Sequence, residues 1–347
     1  MSFASCKSSP SSAESKKAPN WINNVDSAYN PNRYVAAVGH GRDRNTAEKD
    51  AFANLARFFG QSVNVDETLT DTYFEVIRNR GLSGWTDTTA FESVIRSSAA
   101  MDNLIGAEIK DVWYDTKGMY FAVAAMDKAN TVKIYTDLIK TNQILINNLV
   151  NMNQMEKNSL EGFSRYQFAA ITADANISFE NVLRTIGASA PGELKSGSEY
   201  WLESANIAKN IPVKVVTEKR GDVDRAENIR NAFSRAISEI GFRTTLDNAL
   251  YTLEVNLNLT EVNYPDVATK FIQNEIAAKF SRYEISANFS ETVSRTGVLP
   301  VFSINGEESH ATLQEAESRA IFAAEGKINK EYRGWLSEQL AQRLPKR

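Results

Sequence analysis

The chain has 347 residues, 42% of them hydrophobic, enough for roughly two domains of about 150 residues each with packed cores, which excludes a wholly disordered polymer. Lys and Arg number 39 against 43 Asp and Glu, a net charge of −4 that is unsuited to collecting phosphates and argues against nucleic acid as a partner. One cysteine, Cys6, and two histidines, His40 and His310, are too few for structural zinc, internal disulfides or thiol-pair redox chemistry, so no metal or cofactor is expected.

Cys6 stands at the head of the chain in Phe3-Ala4-Ser5-Cys6, an apolar and two small residues before the thiol, and a Ser-rich stretch runs on to Lys17. The string resembles a bacterial lipobox, where small residues let a peptidase grip extended backbone and the polar stretch that follows acts as a flexible tether. Residues 1–18 therefore read as a lipobox-like start and tether, with Cys6 as the lipid attachment residue. Only Met1 to Ser5 precede it, short of the basic and apolar regions of a complete signal peptide, so a lone cysteine in a loose tail is the competing reading. No segment approaches about 18 consecutive apolar residues, so no transmembrane helix competes for the anchoring role.

Residues 19–126 read as a small α+β domain. Tyr34 to Val38 is β-compatible, Gly39-His40-Gly41 follows, and Ala47, Ala51, Leu55 and Phe58/Phe59 recur at helical spacing behind a cap at Asn45 with Glu48, up to Gly60. Ser62–Leu69, Phe91–Met101, Ala107–Tyr114 and Met119–Met126 complete one antiparallel-rich sheet, with turn signals at Gly81, Gly84 and Asp115-Thr116-Lys117-Gly118. Residues 127–187 change character. Apolar residues at helical intervals from Ile134 to Ile177 predict two long helices, a hairpin or a bent rod, hinged in the polar run Asn151–Asn158. Residues 188–209, with Pro191, Gly192 and Gly197, read as a linker.

Residues 210–347 form a second α+β domain. Ile211–Thr217 is a strand, and Arg225–Ile240 is an amphipathic helix ended by Gly241. Tyr251–Thr260 and Tyr283–Val293 alternate apolar and polar residues, which sets one face of each strand on a core. After the turn Ser294–Gly297, Val298–Ile304 makes a further strand, and Thr312 with Glu315 caps the last helix. The predicted fold class is α+β, two antiparallel-rich sheet domains of strand, helix, strands, helix order joined by a long helical hairpin or rod. The shared order and the echo of Ala47-Glu48-Lys49-Asp50-Ala51 in Ala316-Glu317-Ser318-Arg319-Ala320 admit a distant duplication, although such strings are common on amphipathic helices.

Little chemistry is available. Gly39 and Gly41 between a strand and a helix, with Arg42 and Arg44, make a weak candidate anion site, but Arg44 stands where a dinucleotide turn has its third glycine, and no Walker-type Gly-Lys-Ser/Thr occurs. His40 and His310 precede helices and lack a nucleophile elbow, so turn or capping roles outweigh catalysis. Asp222 and Asp224 lack the rest of a calcium loop. Of Trp21, Trp85, Trp113, Trp201 and Trp335, only Trp21 lies near the tether. Core packing is the default reading of an indole, and a membrane or partner contact by Trp21 is the alternative.

Pro19-Asn20-Trp21-Ile22, Tyr34-Val35-Ala36-Ala37-Val38-Gly39 and Thr46 to Ala56 resemble the LPP-twenty lipoprotein family of bacterial envelopes over about residues 19 to 126. The same small fold resembles the N-terminal domain of flagellar assembly protein T. The resemblance implies an outer-membrane lipoprotein facing the periplasm, tied to envelope integrity or motility, with no catalytic residues to carry over. The expected function is thus a non-catalytic, lipid-anchored structural or adapter protein. Its partners would be a membrane through Cys6 and other envelope proteins. A periplasmic carrier for a lipid or other hydrophobic ligand is the alternative, which would need a cavity under one of the sheets.

Overall fold

The structure is a computed structural model and describes residues 17–59, 104–218, 223–264 and 278–343. The described residues divide into two compact units. One comprises residues 17–59, 104–140 and 176–193, and the other 141–175 and the described residues from 194 onward.

In the first unit a short 3-10 turn, Asn20–Ile22, and helix α1 (Val25–Ala28) lead into β1 (Tyr34–Gly41) and α2 (Arg44–Arg57). Strands β2 (Ala107–Tyr114) and β3 (Tyr120–Asp127) complete an antiparallel sheet of order β1-β3-β2. The turn at Asp115–Gly118 forms as its residues dictate. The Asp115 carboxylate accepts from the amides of Lys117 and Met119 at 2.9 and 2.7 Å, and Gly118 supplies a positive φ of 91°. Ala47, Ala51 and Leu55 are fully buried on one face of α2, as their spacing requires. The expected strands 62–69 and 91–101, the signals at Gly81 and Gly84 and the stop at Gly60 lie outside the described residues.

The two long helices stand where the periodicity puts them, α3 over Lys128–Val150 and α5 over Leu160–Thr185. Between them the polar run holds one further turn, α4 (Gln154–Lys157), closed by a capping box between Asn153 and Glu156. The stretch 127–187 is not a unit of its own. Residues 128–140 and 176–185 cluster with the first sheet, where Tyr135 meets Phe179 edge to face, and residues 141–175 belong to the second unit. In that second unit the Arg165 side chain, only 5% exposed, donates 2.7 Å hydrogen bonds to the carbonyls of Leu149 and Asn148. A buried guanidinium thus satisfies the orphan C-terminal carbonyls of α3.

The second unit continues with α6 (Gly197–Lys209), β4 (Pro212–Thr217), α7 (Val223–Ile240), β5 (Arg243–Thr244), β6 (Tyr251–Val262), β7 (Lys279–Glu291) and β8 (Phe302–His310). Helix α8 (Leu313–Lys327) passes through a π turn at Ile328–Tyr332 into α9 (Arg333–Ala341). Sheet order is β5-β4-β6-β7-β8. Leu253, Val255, Tyr283, Ile285, Phe289, Phe302 and Ile304 share one face, against Ile229, Phe233 and Ile237 of α7 and Ala320, Ala324, Ile328 and Tyr332 beyond it. Each fully buried Leu, Ile or Phe contributes about 1.5–3 kcal/mol, so this alternating stripe, more than strand propensity, fixes the register.

The fold class is α+β, as expected, with two corrections in the second unit. Its sheet is antiparallel-rich through β6, β7 and β8, and β4 adds parallel pairing with both β5 and β6 because α7 carries the chain back across the sheet. Residues 197–209 are helix α6, not linker. A Cβ on Gly197 would lie 2.3 Å from the Asp174 carboxylate, so this glycine marks a close approach and not a break. The last strand starts at Phe302 and not Val298, since Pro300 has no N–H to give a ladder. Pairing also differs between the units. β1 runs antiparallel to β3, whereas β4, its counterpart before a helix, runs parallel to its neighbours.

Candidate functional site

Cys6 and most of the tether lie outside the described residues, which begin at Lys17. A few residues further on, Trp21 is packed inward. It is 5% exposed, and its indole Nε1 donates to Asp111 Oδ2 at 3.0 Å. The default reading of this indole as a packed residue with a satisfied polar tip therefore holds, and the alternative of a membrane or partner contact by Trp21 is corrected. The indole fastens the N-terminal turn to β2, its polar tip satisfied by a carboxylate.

The candidate anion site at Gly39, Gly41, Arg42 and Arg44 is corrected as well. Both glycines lie within β1, not in a turn beyond it. A Cβ on Gly39 would sit 2.0 Å from the Ala51 amide nitrogen and 2.6 Å from the Ala47 carbonyl oxygen, and one on Gly41 would sit 2.6 Å from the Ala47 nitrogen. The glycines are there because α2 lies directly on the strand. The N-terminus of α2 is already served by Asp43, whose carboxylate accepts from the Thr46 amide at 2.9 Å and its hydroxyl at 2.7 Å. Those bonds, the amide's first, hold the Asp43 carboxyl below the usual carboxylate range. Arg44 turns to Glu48 one turn along the helix, at 2.6 Å. Arg42 is exposed at the end of β1.

Both histidines serve local structure. The backbone N–H of His40 donates to Asp50 at 3.0 Å, its Nδ1 lies 3.5 Å from the same carboxylate, and its ring faces Phe121. His310, the last residue of β8, accepts at Nδ1 from the Thr312 amide at 3.5 Å, just before the Thr312 cap of α8. Asp222 lies outside the described residues, as does the side chain of Asp224. Among the described residues no three His, Cys, Asp or Glu side chains gather in a way that could hold a metal ion.

Two polar features escaped the sequence reading. Asp174 of α5 accepts from the Gly197 amide at 2.9 Å and from Trp201 Nε1 at 3.3 Å, doing for α6 what an N-cap residue would do. Burial raises its carboxyl pKa against the opposing pull of those bonds. Ser196 three residues before Glu199 was the sequence signal for that helix start. Tyr135 receives the Ile105 amide at 3.1 Å, and burial pushes its phenol up to about 12. Tyr135 is fully buried and Asp174 half-buried, and nothing in the sequence marks the partner of either.

Among the described residues no helix is long and apolar enough to cross a membrane. No family model matches the chain, and no curated protein does. Among solved structures it is similar to a candidate lipoprotein from Caulobacter crescentus at 13% identity, covering 36% of this chain and 90% of that one with a TM-score of 0.26. A secreted protein from Helicobacter pylori is similar at 12% identity over 86% of this chain and 98% of its own, with a TM-score of 0.36. A candidate neuraminyllactose-binding haemagglutinin homolog from the same organism is similar at 13% identity over 39% and 92%, with a TM-score of 0.27. None of the three lends this chain an activity or a residue role.

Proposed function

We propose that this chain is a lipid-anchored bacterial envelope protein that catalyses no reaction and holds two α+β units at a membrane for binding other envelope proteins. The observation that carries the reading is Phe3-Ala4-Ser5-Cys6 followed directly by a Ser-rich polar stretch. Several acyl chains on one cysteine suffice for stable attachment, whereas a single chain binds marginally and reversibly. The engagement of His40, His310, Asp43, Arg44 and Asp174 in caps and local pairs supports a binding role over catalysis, because none of them is left poised toward a substrate. The resemblance to the LPP-twenty family and to the N-terminal domain of flagellar assembly protein T favours envelope integrity or flagellar assembly as the setting, with the outer membrane as the anchoring membrane.

The test is fractionation of a bacterium expressing the full-length coding sequence. The protein is expected to sediment with membranes, resist high salt and enter the detergent phase, and Cys6→Ser is expected to release it to the soluble fraction. Equal distribution of the two forms would overturn the proposal.

A further inference from the structure

In the run of helix from α8 into α9, every fourth residue from Ala316 to Leu340 is buried, each at most 1% exposed. An unbroken α-helix cannot keep such a stripe on one side. It turns about 100° per residue, so each four-residue step overshoots by about 40°, and by Leu340 the stripe would have moved about 240° around the axis. The π turn at Ile328–Tyr332 prevents this by taking in one extra residue. It sets the stripe back by about 100° and so keeps Tyr332, Leu336 and Leu340 on the core.

Three features weaken this segment, and none of them serves its packing. The Tyr332 hydroxyl is buried and finds no hydrogen-bond partner among the described residues, so its desolvation is uncompensated. Gly326 and Gly334 stand on either side of the turn with open space where a Cβ would project. The other two helical glycines described, Gly162 and Gly197, each have an atom within 2.3 Å of that position. A helical glycine that no close approach requires only loosens its helix. Costs of this kind, gathered in one segment without a packing return, belong where a chain uses a second conformation. A replacement for Tyr332 is already at hand. The Trp335 ring lies nearly parallel to it at 5.5 Å and 24°, and 5.2 Å from Phe302, about one residue's rotation from the centre of the stripe.

We infer that α9 has a second register, in which the π turn gives way to an ordinary α turn. There α9 is rotated by about 100° and shifted by about 1.5 Å along its axis. Trp335 and Gln339 turn to the centre of the core face, and Tyr332 and Leu336 turn toward its side, which brings the phenol to water. The Leu340 carbonyl, which accepts from the Ser164 hydroxyl of α5 at 2.7 Å, moves with α9, so the change is passed on to α5.

Fluorine NMR of the full chain labelled with 5-fluorotryptophan tests this, with the Trp335 resonance identified by its loss in Trp335→Phe. Trp335 is expected to show exchange on the microsecond-to-millisecond scale by relaxation dispersion, whereas Trp201, held by Asp174, shows none. Tyr332→Phe relieves the described register of its unpartnered hydroxyl and should reduce the exchanging population roughly fivefold or more. Deleting Asn329, an exposed residue of the π turn, removes the extra residue and should make the second register's Trp335 resonance the main one. An exchange-free Trp335 resonance overturns the inference, as does exchange that Tyr332→Phe leaves unchanged or that Trp201 shares. The comparison of the parent with Tyr332→Phe decides even where the deletion variant fails to fold.

Discussion

Replacing Gly39 by alanine separates two roles for the glycines of β1. If they exist to let α2 lie on the strand, one added methyl must meet the Ala51 nitrogen at 2.0 Å and the Ala47 oxygen and Ala51 Cα at 2.6 Å. All three are helix backbone, so no side chain can swing aside, and α2 must retreat by about 1 Å or more from Ala122 and its neighbours. Overpacking of this kind costs about 1–3 kcal/mol where side chains can yield, so Gly39→Ala is expected at or above about 3 kcal/mol. Gly41→Ala is expected to cost about 1–3 kcal/mol, because the Ala47 nitrogen at 2.6 Å and the Thr46 Cβ at 2.7 Å are fixed to the helix and only the Thr46 methyl at 2.8 Å can turn away. Arg42→Ala should lie within about 0.5 kcal/mol of the parent. Urea unfolding monitored by hydrogen exchange of the α2 amides reads the first unit directly. The reasoning fails if Gly39→Ala keeps parental protection while Arg42→Ala and Arg44→Ala abolish a stabilisation by sulfate, since that pattern belongs to an anion site.

Three further perturbations test the packing around charged groups. Arg165→Ala leaves the carbonyls of Leu149 and Asn148 without their donors and should cost about 3–5 kcal/mol in chemical denaturation, while Arg165→Lys should recover only part of it because one ammonium cannot reproduce the planar fork. Asp174→Ala strands the Gly197 amide and the Trp201 indole and should cost about 1–3 kcal/mol, whereas Asp174→Asn keeps an acceptor. The Asp174 carboxyl pKa is raised in the folded chain, so its contribution is fully present below the unfolded value of 3.8 and lost as pH rises through the folded value. Asp174→Asn should therefore gain on the parent as pH climbs through that window, and a constant difference across it would refute the assignment. Asp127 behaves oppositely. Hydrogen bonds from the Asn130 amide and then Arg33 hold its carboxyl low, so its contribution is present above the unfolded value and lost as pH falls through the folded one. Asp127→Asn should accordingly flatten the acid limb of the stability profile.

Elements governed by a repeating pattern were legible before any coordinates. The alternation in Tyr251–Thr260 and Tyr283–Phe289 and the helical spacing in 127–187 correspond to β6, β7, α3 and α5 because burial of one face imposes that periodicity, whereas Val293, expected on the same face, lies beyond the end of β7 at Glu291 and is 93% exposed. What could not be read depends on contacts between residues far apart in sequence. Gly197 signals a break by composition, yet it opens a helix because the Asp174 carboxylate occupies the place of a Cβ. Gly39 and Gly41 suggest a phosphate-binding turn by spacing, and the decisive neighbours, Ala47 and Ala51, become visible only once α2 is docked. The parallel pairing of β4 is likewise a property of the crossover through α7 and not of the strand's own residues.

The claim on which the rest depends is the chemistry of Cys6. Mass spectrometry of the N-terminal peptide, from full-length protein purified out of bacterial membranes, addresses it most directly. The account predicts a mature chain that begins at Cys6 and carries diacylglycerol on the thiol. A free Cys6 thiol inside a longer, uncleaved N-terminal peptide would contradict it.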